Sequence, residues 1–202
     1  MKNIAKIEQT VVEGISKKIL NHLARNSAFS RTDYLKCKLG IETFLIDVSK
    51  LIIIYGLAFV IGLAWQVFIV HISYMGIRLF SHGAHCKTSL ECTLVSSVML
   101  IGATLVINKI QIPNIILLVM FMINFILLWR YAPSATKKNG IENKSERKKK
   151  ILKYKALITN GIIFLISSLM PRSIGVMLMT GAIMAALMTT PLLYKLLRQE
   201  RI

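Results

Sequence analysis

Acidic residues are scarce in this 202-residue chain, which has nine Asp or Glu against 26 Lys or Arg and a formal net charge of +17. Charged residues make up 17% of the chain and hydrophobic residues 54%. A soluble nucleic-acid-binding protein carries such an excess of positive charge, but it does not also carry five or six long apolar runs. The composition therefore predicts one membrane-embedded domain, residues 1–202, and no nucleic-acid partner.

Cysteine is also scarce, and the three residues Cys37, Cys86 and Cys92 make no obvious disulfide set. No standard zinc spacing is present, so we expect neither a metal nor another cofactor. The N-terminus lacks the layout of a cleavable signal peptide. Cys37 and Cys86 are interpreted as incidental thiols, with Cys86 as a substitute nucleophile only if Cys92 is dispensable.

The N-terminal segment, residues 1–30, has the pattern of an amphipathic helix. Its apolar residues recur at helical spacing, and lysines occupy other positions on the helical wheel; the apolar residues are Ile4, Ile7, Val11, Val12, Ile15, Ile19, Leu20 and Leu23. Such a helix either lies in the membrane interface with its lysines on anionic headgroups, or packs on the protein's own surface. Thr32 and Asp33 are plausible caps for the next helix.

Six apolar segments follow and predict an all-α polytopic membrane bundle of about six transmembrane helices, each close to the length that a bilayer core of about 30 Å requires. They are residues 43–62, 64–80, 89–108, 112–131, 154–170 and 174–193. The first contains Asp47 and Lys50, which are placed to neutralise each other. The second contains His71, interpreted as a hydrogen-bonded bundle residue.

Positive charge is concentrated on one predicted side of this bundle. The polar stretch 132–155 holds nine Lys or Arg and two Glu, a net charge of +7. With six spans, only Lys109 and Arg172 lie in loops on the opposite side. The distribution predicts a cell-membrane protein whose termini, basic loop and segment 78–88 are all cytoplasmic. The loop contacts anionic lipids or docks an acidic segment of a substrate.

The polar segment 78–92 between two apolar runs holds the candidate reactive groups. His85 and Cys92 are seven residues apart, about two helical turns, so a continuous helix would keep them too far apart to interact. Gly83 permits a turn, and Thr88 with Glu91 forms a capping-box pattern. We therefore expect a helix to begin at Thr88.

Cys92 then lies in the first turn of that helix, where the helix dipole favours a thiolate. His85, in the preceding turn, is placed to fold back as its base, and Asp47 is one candidate to orient it. Alternatively, Cys92 is a small apolar filler and His85 reaches toward the interface. His82, His85, Cys86 and Cys92 are a further, less favoured, metal-ligand set.

Arg78, Gly83, His85 and Cys92 match the R-x4-G-x-H-x6-C pattern of the accessory gene regulator B (AgrB) family, and the chain resembles that family nearly throughout. The runs 83–89, 131–133 and 190–192 add to the likeness. The resemblance implies a membrane cysteine endopeptidase that trims a small AgrD-like signal pro-peptide and helps to close it into a thiolactone for quorum sensing. His85 would be its base and Cys92 its nucleophile.

The same resemblance assigns supporting positions to Arg78 and Gly83, beside Thr88 and Glu91 of the capping box. Arg78 either marks the end of the second span or binds the substrate's carboxylate or oxyanion. His82 replaces a glycine that is common in the family. Two other functions stay open: a small peptide transporter or exporter without protease chemistry, and a non-enzymatic lipid-bound scaffold. A homodimer is expected of so small a bundle.

Overall fold

The computed structural model describes residues 2–24, 30–84, 86, 88–109, 113–136, 141 and 143–197. Regular structure in these residues consists of α-helices, and a single isolated β-bridge joins His82 and Ser134. The helices are α1 (Lys2–Ala24), α2 (Arg31–Val60), α3 (Ala64–Ser81), α4 (Ser89–Ile107), α5 (Asn114–Tyr131), α6 (Glu146–Leu169), α7 (Arg172–Leu187) and α8 (Pro191–Leu196). The predicted all-α class is confirmed.

Among the described residues, three helices are long and apolar enough to cross a membrane: α2, α4 and α6. Two shorter apolar helices, Ile115–Tyr131 and Arg172–Leu187, accompany them. These lengths and compositions indicate a membrane protein. The count of six spans stays a prediction, because α7 has 16 residues and at 1.5 Å per residue reaches only about 24 Å.

The predicted span 174–193 is divided in the structure. α7 ends at Leu187, and the side-chain hydroxyls of Thr189 and Thr190 donate to the carbonyls of Ala186 (2.6 Å) and Leu187 (2.7 Å). These bonds close the last turn, and α8 starts at Pro191, a residue suited to the first turn of a helix. The break matters because this turn contacts the candidate site.

α2 is one continuous helix of 30 residues rather than a short helix followed by a separate span. Its N-cap is Ser30, whose hydroxyl accepts from the Asp33 amide at 3.2 Å, so the predicted caps Thr32 and Asp33 lie two and three residues too far along. Its C-terminus turns at Gly62 (φ +76°). There, the Leu63 amide donates to Ala58 O at 2.8 Å and closes a Schellman motif.

The centre of the bundle is the contact between α3 and α7. Gly181 of α7 lies against the α3 backbone, where an added Cβ would collide with Val70 O and reach Tyr74 N at 3.0 Å. Ala182, Ala185 and Ala186 of α7 are also fully buried. Small residues let two helix backbones approach closely, and this is how membrane helices associate where the apolar effect is weak.

The remaining helices pack around this pair and leave apolar side chains exposed. Val98 of α4 is 72% exposed and Leu169 of α6 is 77% exposed, as expected for surfaces that meet lipid. Inside the bundle, Asn124 donates to the Asn160 side chain at 2.6 Å and links α5 to α6. His71 is hydrogen-bonded to the Tyr55 hydroxyl at 2.9 Å, which confirms it as a bonded bundle residue.

The N-terminal helix packs on α2 through one narrow stripe. Ser16 and Leu20 are buried, and the Ser16 hydroxyl donates to the Glu42 carboxylate at 3.1 Å. Neighbouring apolar side chains remain exposed, namely Val11, Ile15, Ile19 and Leu23. The helix therefore packs on its own protein and also keeps an apolar face available.

The polar stretch 132–155 is helical from Glu146 onward, so α6 begins eight residues before the predicted span. Lysine, arginine and glutamate are good helix formers, and Glu146 pairs with Lys149 at 2.9 Å on the first turns.

Candidate active site

The chain breaks sharply between α3 and α4, as the predicted site requires. α3 ends at Ser81, and His82 follows with φ 53° and ψ −138°. Gly83 has φ +122°, and a Cβ there would come within 2.5 Å of both Arg78 Nη1 and Met188 O. The site therefore needs glycine at position 83 for two reasons, the backbone angle and the lack of space.

Arg78 holds the chain in this turn. Its Nη1 donates to the His82 carbonyl at 2.7 Å, and its Nη2 donates to the Ala84 carbonyl. The side chain is half-buried. Arg78 thus links the last turn of α3 to the segment that leads into the site, a bracing contact that neither predicted role included.

The predicted helix start is confirmed in detail. Thr88 is the N-cap of α4, and its hydroxyl accepts from the Glu91 amide at 3.2 Å. The Thr88 amide donates to the Glu91 carboxylate at 3.3 Å, which completes the capping box. The Cys92 amide donates to Thr88 O at 3.1 Å, so Cys92 closes the first turn of α4.

Cys92 is half-buried and has polar and charged neighbours. The side chains of Cys86 and Ser96 are among its neighbours, and the positive charges of Lys50 and Arg78 act on its sulfur. The helix N-terminus adds the positive end of its dipole. A thiol in these surroundings has partners for its anionic form, unlike one that merely fills apolar space.

His85 lies outside the described residues, as does Lys87. The pairing of His85 with Cys92 therefore stays a prediction, and so does the metal-ligand set that includes His85. Within the described part of the chain, no group of three His, Cys, Asp or Glu is arranged to hold a metal ion. His82 is described: burial first, and then Lys144 and Arg78, hold the pKa of its imidazole below the usual 6.5.

Two distant segments hold the 81–84 turn in place from the other side. The Ala84 amide donates to Met188 O at 2.8 Å, and the Ser134 amide donates to Ser81 O at 3.0 Å. The Ser134 hydroxyl then donates to Thr189 O at 3.1 Å, so each segment contacts the other two. The turns after α3, α5 and α7 form one hydrogen-bonded unit at this end of the bundle.

A known protein family matches most of this chain. The family model described as Accessory gene regulator B matches residues 16–193. This chain belongs to the accessory gene regulator B family. The match includes the break after α3, the capped start of α4 and the three joined turns.

Individual relatives of the family cover most of the chain. An accessory gene regulator protein B from Staphylococcus carnosus is 31% identical over 172 residues, 85% of this chain and 88% of the relative. A putative AgrB-like protein from Listeria innocua is 36% identical over 168 residues, covering 83% and 81%. The accessory gene regulator protein B of Staphylococcus saprophyticus is 29% identical over 187 residues, covering 91% and 97%. No solved structure matches this chain.

Membership of the accessory gene regulator B family implies involvement in the accessory gene regulator quorum-sensing system. The runs that suggested the family, 131–133 and 190–192, lie at two of the three joined turns. In sequence they are far from the His85 and Cys92 positions, and only the fold brings them to the same end of the bundle.

Lys50 is the neighbour of Cys92 that sequence reasoning did not assign to the site. The predicted ion pair with Asp47 is confirmed, with Lys50 Nζ 3.2 Å from the carboxylate, and the Lys50 side chain is 20% exposed. Its charge also acts on Cys92 of the neighbouring α4. An ionisable residue inside an apolar span is a functional candidate by default, and this signal was present in the sequence.

Proposed function

We propose that this chain is a membrane cysteine endopeptidase that cleaves a small signal pro-peptide through a thioester on Cys92 and promotes closure of the product to a thiolactone. The observation that carries the proposal is the surroundings of Cys92. The thiol is half-buried in the first turn of a fully capped helix, directly after a braced break in the chain, with two cations acting on it.

The first chemical step is formation of the nucleophile. His85 takes the proton of the Cys92 thiol, and the thiolate attacks a peptide carbonyl of the precursor. The helix dipole of α4, together with the charges of Lys50 and Arg78, stabilises negative charge on the sulfur and on the oxygen that develops beside it. The C-terminal part of the precursor leaves as an amine, and the remainder stays bound to Cys92 as a thioester.

The second step decides between hydrolysis and ring closure. A cysteine within the precursor attacks the thioester carbonyl, and the Cys92 thiolate leaves. Exchange of one thioester for another is close to thermoneutral, whereas a serine nucleophile would form an ester that a thiol displaces poorly. Exclusion of water from the site favours the ring over the hydrolysed product. This difference is a physical reason for cysteine rather than serine at position 92.

The proposal includes the placement of the site. The six-span arrangement puts both termini, the turn 81–84 and the basic segment 132–155 on the cytoplasmic side. Cysteines introduced by Lys109→Cys and Lys144→Cys in a variant that lacks Cys37, Cys86 and Cys92 test it. An impermeant maleimide should label position 109 in intact cells and position 144 only after permeabilisation. The reverse pattern would contradict the orientation.

The partners of the site are proposed on the same basis. The pro-peptide brings an acidic segment to the basic segment 132–155, whose described cations from Lys144 to Lys155 line the start of α6. Anionic lipids meet the same charges and the exposed apolar face of α1. A homodimer completes the proposed assembly.

The deciding experiment is intact-mass analysis of the full chain incubated with its pro-peptide in vesicles. We expect a covalent adduct, lost on treatment with hydroxylamine, that maps to Cys92. Cys92→Ala should abolish both the adduct and cleavage, while Cys37→Ser, a thiol substitution at the far end of α2, should retain both. Normal processing by Cys92→Ala would refute the proposal.

A further inference from the structure

Tyr194 is the buried residue of the short C-terminal helix α8. Its side chain is 2% exposed, whereas Leu192 and Leu196 of the same helix are 72% and 73% exposed. α8 therefore buries the residue that carries a hydroxyl and leaves two leucines outside. A buried hydroxyl is costly unless it is hydrogen-bonded, and that of Tyr194 donates to the Ala135 carbonyl at 3.2 Å. This bond joins α8 to the segment that follows α5.

In one direction, the Tyr194 bond leads to the start of the turn 81–84. Ser134 adjoins Ala135 in the chain, and the Ser134 amide donates to Ser81 O at 3.0 Å. Ser81 is the last residue of α3. A displacement of the Ala135 carbonyl is therefore passed through one peptide unit to the residue from which the turn begins.

In the other direction, Tyr194 is connected to the end of the same turn. Its amide donates to Thr190 O at 3.3 Å, in the break between α7 and α8. Met188 lies in that break, and its carbonyl accepts from the Ala84 amide at 2.8 Å. Ala84 is the residue before His85 in the sequence. The two paths leave one residue and meet at the two ends of one turn, so these hydrogen bonds form a closed cycle.

We propose that Tyr194 is a positioning residue for the candidate site: its hydroxyl holds Ala135 and thereby fixes the turn 81–84, which precedes His85 and Cys92 in the chain. A phenylalanine ring would fill the same space, so the packing of α8 requires the aromatic ring but not the hydroxyl. The effect on catalysis rests on the proposed function, whereas the link between Tyr194 and the turn does not.

Hydrogen exchange of the full chain in detergent micelles, followed by NMR, tests the link. Tyr194→Phe removes the hydroxyl and keeps the aromatic ring. We expect the Ser134 and Ala84 amides to exchange about twofold to tenfold faster than in wild type, the effect of one lost hydrogen bond. Amides in the middle of α3 and α7 should keep their wild-type rates, because the helices themselves are unchanged.

Tyr34→Phe is the matched control. Tyr34 is half-buried near the start of α2 and lies outside the cycle, so this variant should leave the exchange of Ser134 and Ala84 unchanged. Two results overturn the proposal. Unchanged exchange of both amides in Tyr194→Phe would show that the hydroxyl does not hold the turn, and equally faster exchange throughout α3 and α7 would show a merely structural role.

The kinetics of precursor cleavage test the positioning role. A displacement of about 1 Å in a catalytic site costs about 100-fold in rate, so a partial displacement should lower the kcat of Tyr194→Phe by roughly threefold to tenfold. KM should be unchanged, since the surface that binds the precursor is not altered. Tyr34→Phe should keep both constants.

The unfolding temperature, measured on the same samples, separates positioning from stability. A fall in unfolding temperature with an unchanged kcat, or a rise in KM alone, would overturn the positioning role. Absence of cleavage by the wild-type chain would count against the proposed function alone, because the exchange rates report on the link between Tyr194 and the turn without any substrate.

Discussion

The centre of this bundle, where α7 packs on α3, and its flank, formed by α4, differ in how many residues are buried and in which residue types make the contacts. In α7, ten of sixteen residues are buried, and glycine and alanine bring its backbone against α3. In α4, five of nineteen residues are buried, in one stripe that includes Thr93, Ser97 and Thr104. Each of these three hydroxyls donates to a carbonyl one turn earlier in α4, so the stripe has few polar links to neighbouring helices.

The candidate site lies across the boundary between these two regions. Arg78 and Gly83 belong to the central side, where three turns are hydrogen-bonded together. Cys92 belongs to the flank, on a helix with exposed apolar residues on its outer face. The difference indicates a division of roles: the centre fixes the position of the turn 81–84, and the flank carries Cys92 beside an apolar outer face.

Gly83→Ala should have the largest effect on stability and cleavage, because it introduces both backbone strain and a steric clash at the turn 81–84. The backbone angle of φ +122° strains an alanine, and its Cβ would meet Arg78 and Met188. Strain and overpacking each cost about 1–3 kcal/mol. We expect a lower thermal unfolding temperature in detergent and loss of precursor cleavage.

Gly62→Ala is the matched control for this change. Gly62 also has positive φ, +76°, but its Cβ would have nothing within 4 Å. The free energy of unfolding of Gly62→Ala should fall only by the cost of the left-handed conformation, about 1–2 kcal/mol. The variant should retain cleavage. Equal effects of the two variants would show that crowding at Gly83 contributes nothing.

Gly181→Ala should have the next largest effect and compares the two regions directly. An added methyl group at Gly181 meets the α3 backbone, whereas at Gly102 of α4 it meets nothing within 4 Å. Because the methyl group overpacks this contact, the free energy of unfolding of Gly181→Ala should be lower by about 1–3 kcal/mol. Gly102→Ala should be neutral or up to about 1 kcal/mol more stable, because alanine favours helix. Reversible unfolding in mixed micelles measures both, and a similar loss for Gly102→Ala would refute the contrast.

Much of the site region could be predicted from sequence because its signals are local. Thr88 and Glu91 form a capping box within four residues, and Gly83 marks the turn before it. The apolar runs likewise predicted a helix at each of α2 to α7, but not the separate α8. Local signals were weaker at helix ends: Ser30 caps α2 in place of Thr32 or Asp33, and α7 stops at Leu187 where the apolar run continues.

The contacts between distant segments could not be predicted, since nothing in a single sequence gives them. The bonds from Ala84 to Met188 and from Ser134 to Ser81 depend on how three turns meet. The proximity of Lys50 to Cys92 depends on the packing of α2 against α4.

Lys50→Met tests whether the positive charge of Lys50, on α2, acts on the Cys92 sulfur of α4. Removal of one positive charge near the sulfur should slow alkylation of Cys92 by iodoacetamide at neutral pH by roughly tenfold or more, because a unit charge about 8 Å away at an effective dielectric constant of about 20 contributes about 2 kcal/mol. Lys50→Arg should retain the wild-type rate. Unfolding temperatures should be similar in both variants, and an unchanged rate in Lys50→Met would remove Lys50 from the site.

His82→Asn should have the smallest effect, a change in how stability depends on pH at the central side. Burial, with Lys144 and Arg78, holds the pKa of His82 below its usual 6.5, so the unfolded chain binds more protons than the folded one below that pH. The contribution of the neutral His82 imidazole to the free energy of unfolding is fully present above about pH 7. It is lost as the pH falls toward the pKa that His82 has in the folded protein.

Asparagine tolerates positive φ better than most residues, and its side chain does not titrate. The unfolding temperature of His82→Asn should therefore fall less than that of wild type when the pH is lowered from about pH 7 to pH 5. The half-exposed position limits the difference through solvent screening. Carboxylates titrate in both proteins and cancel in the comparison. If the two pH profiles are parallel, the imidazole is solvated in the folded protein, and the packed central region then ends at Ser81 rather than including the turn beyond it.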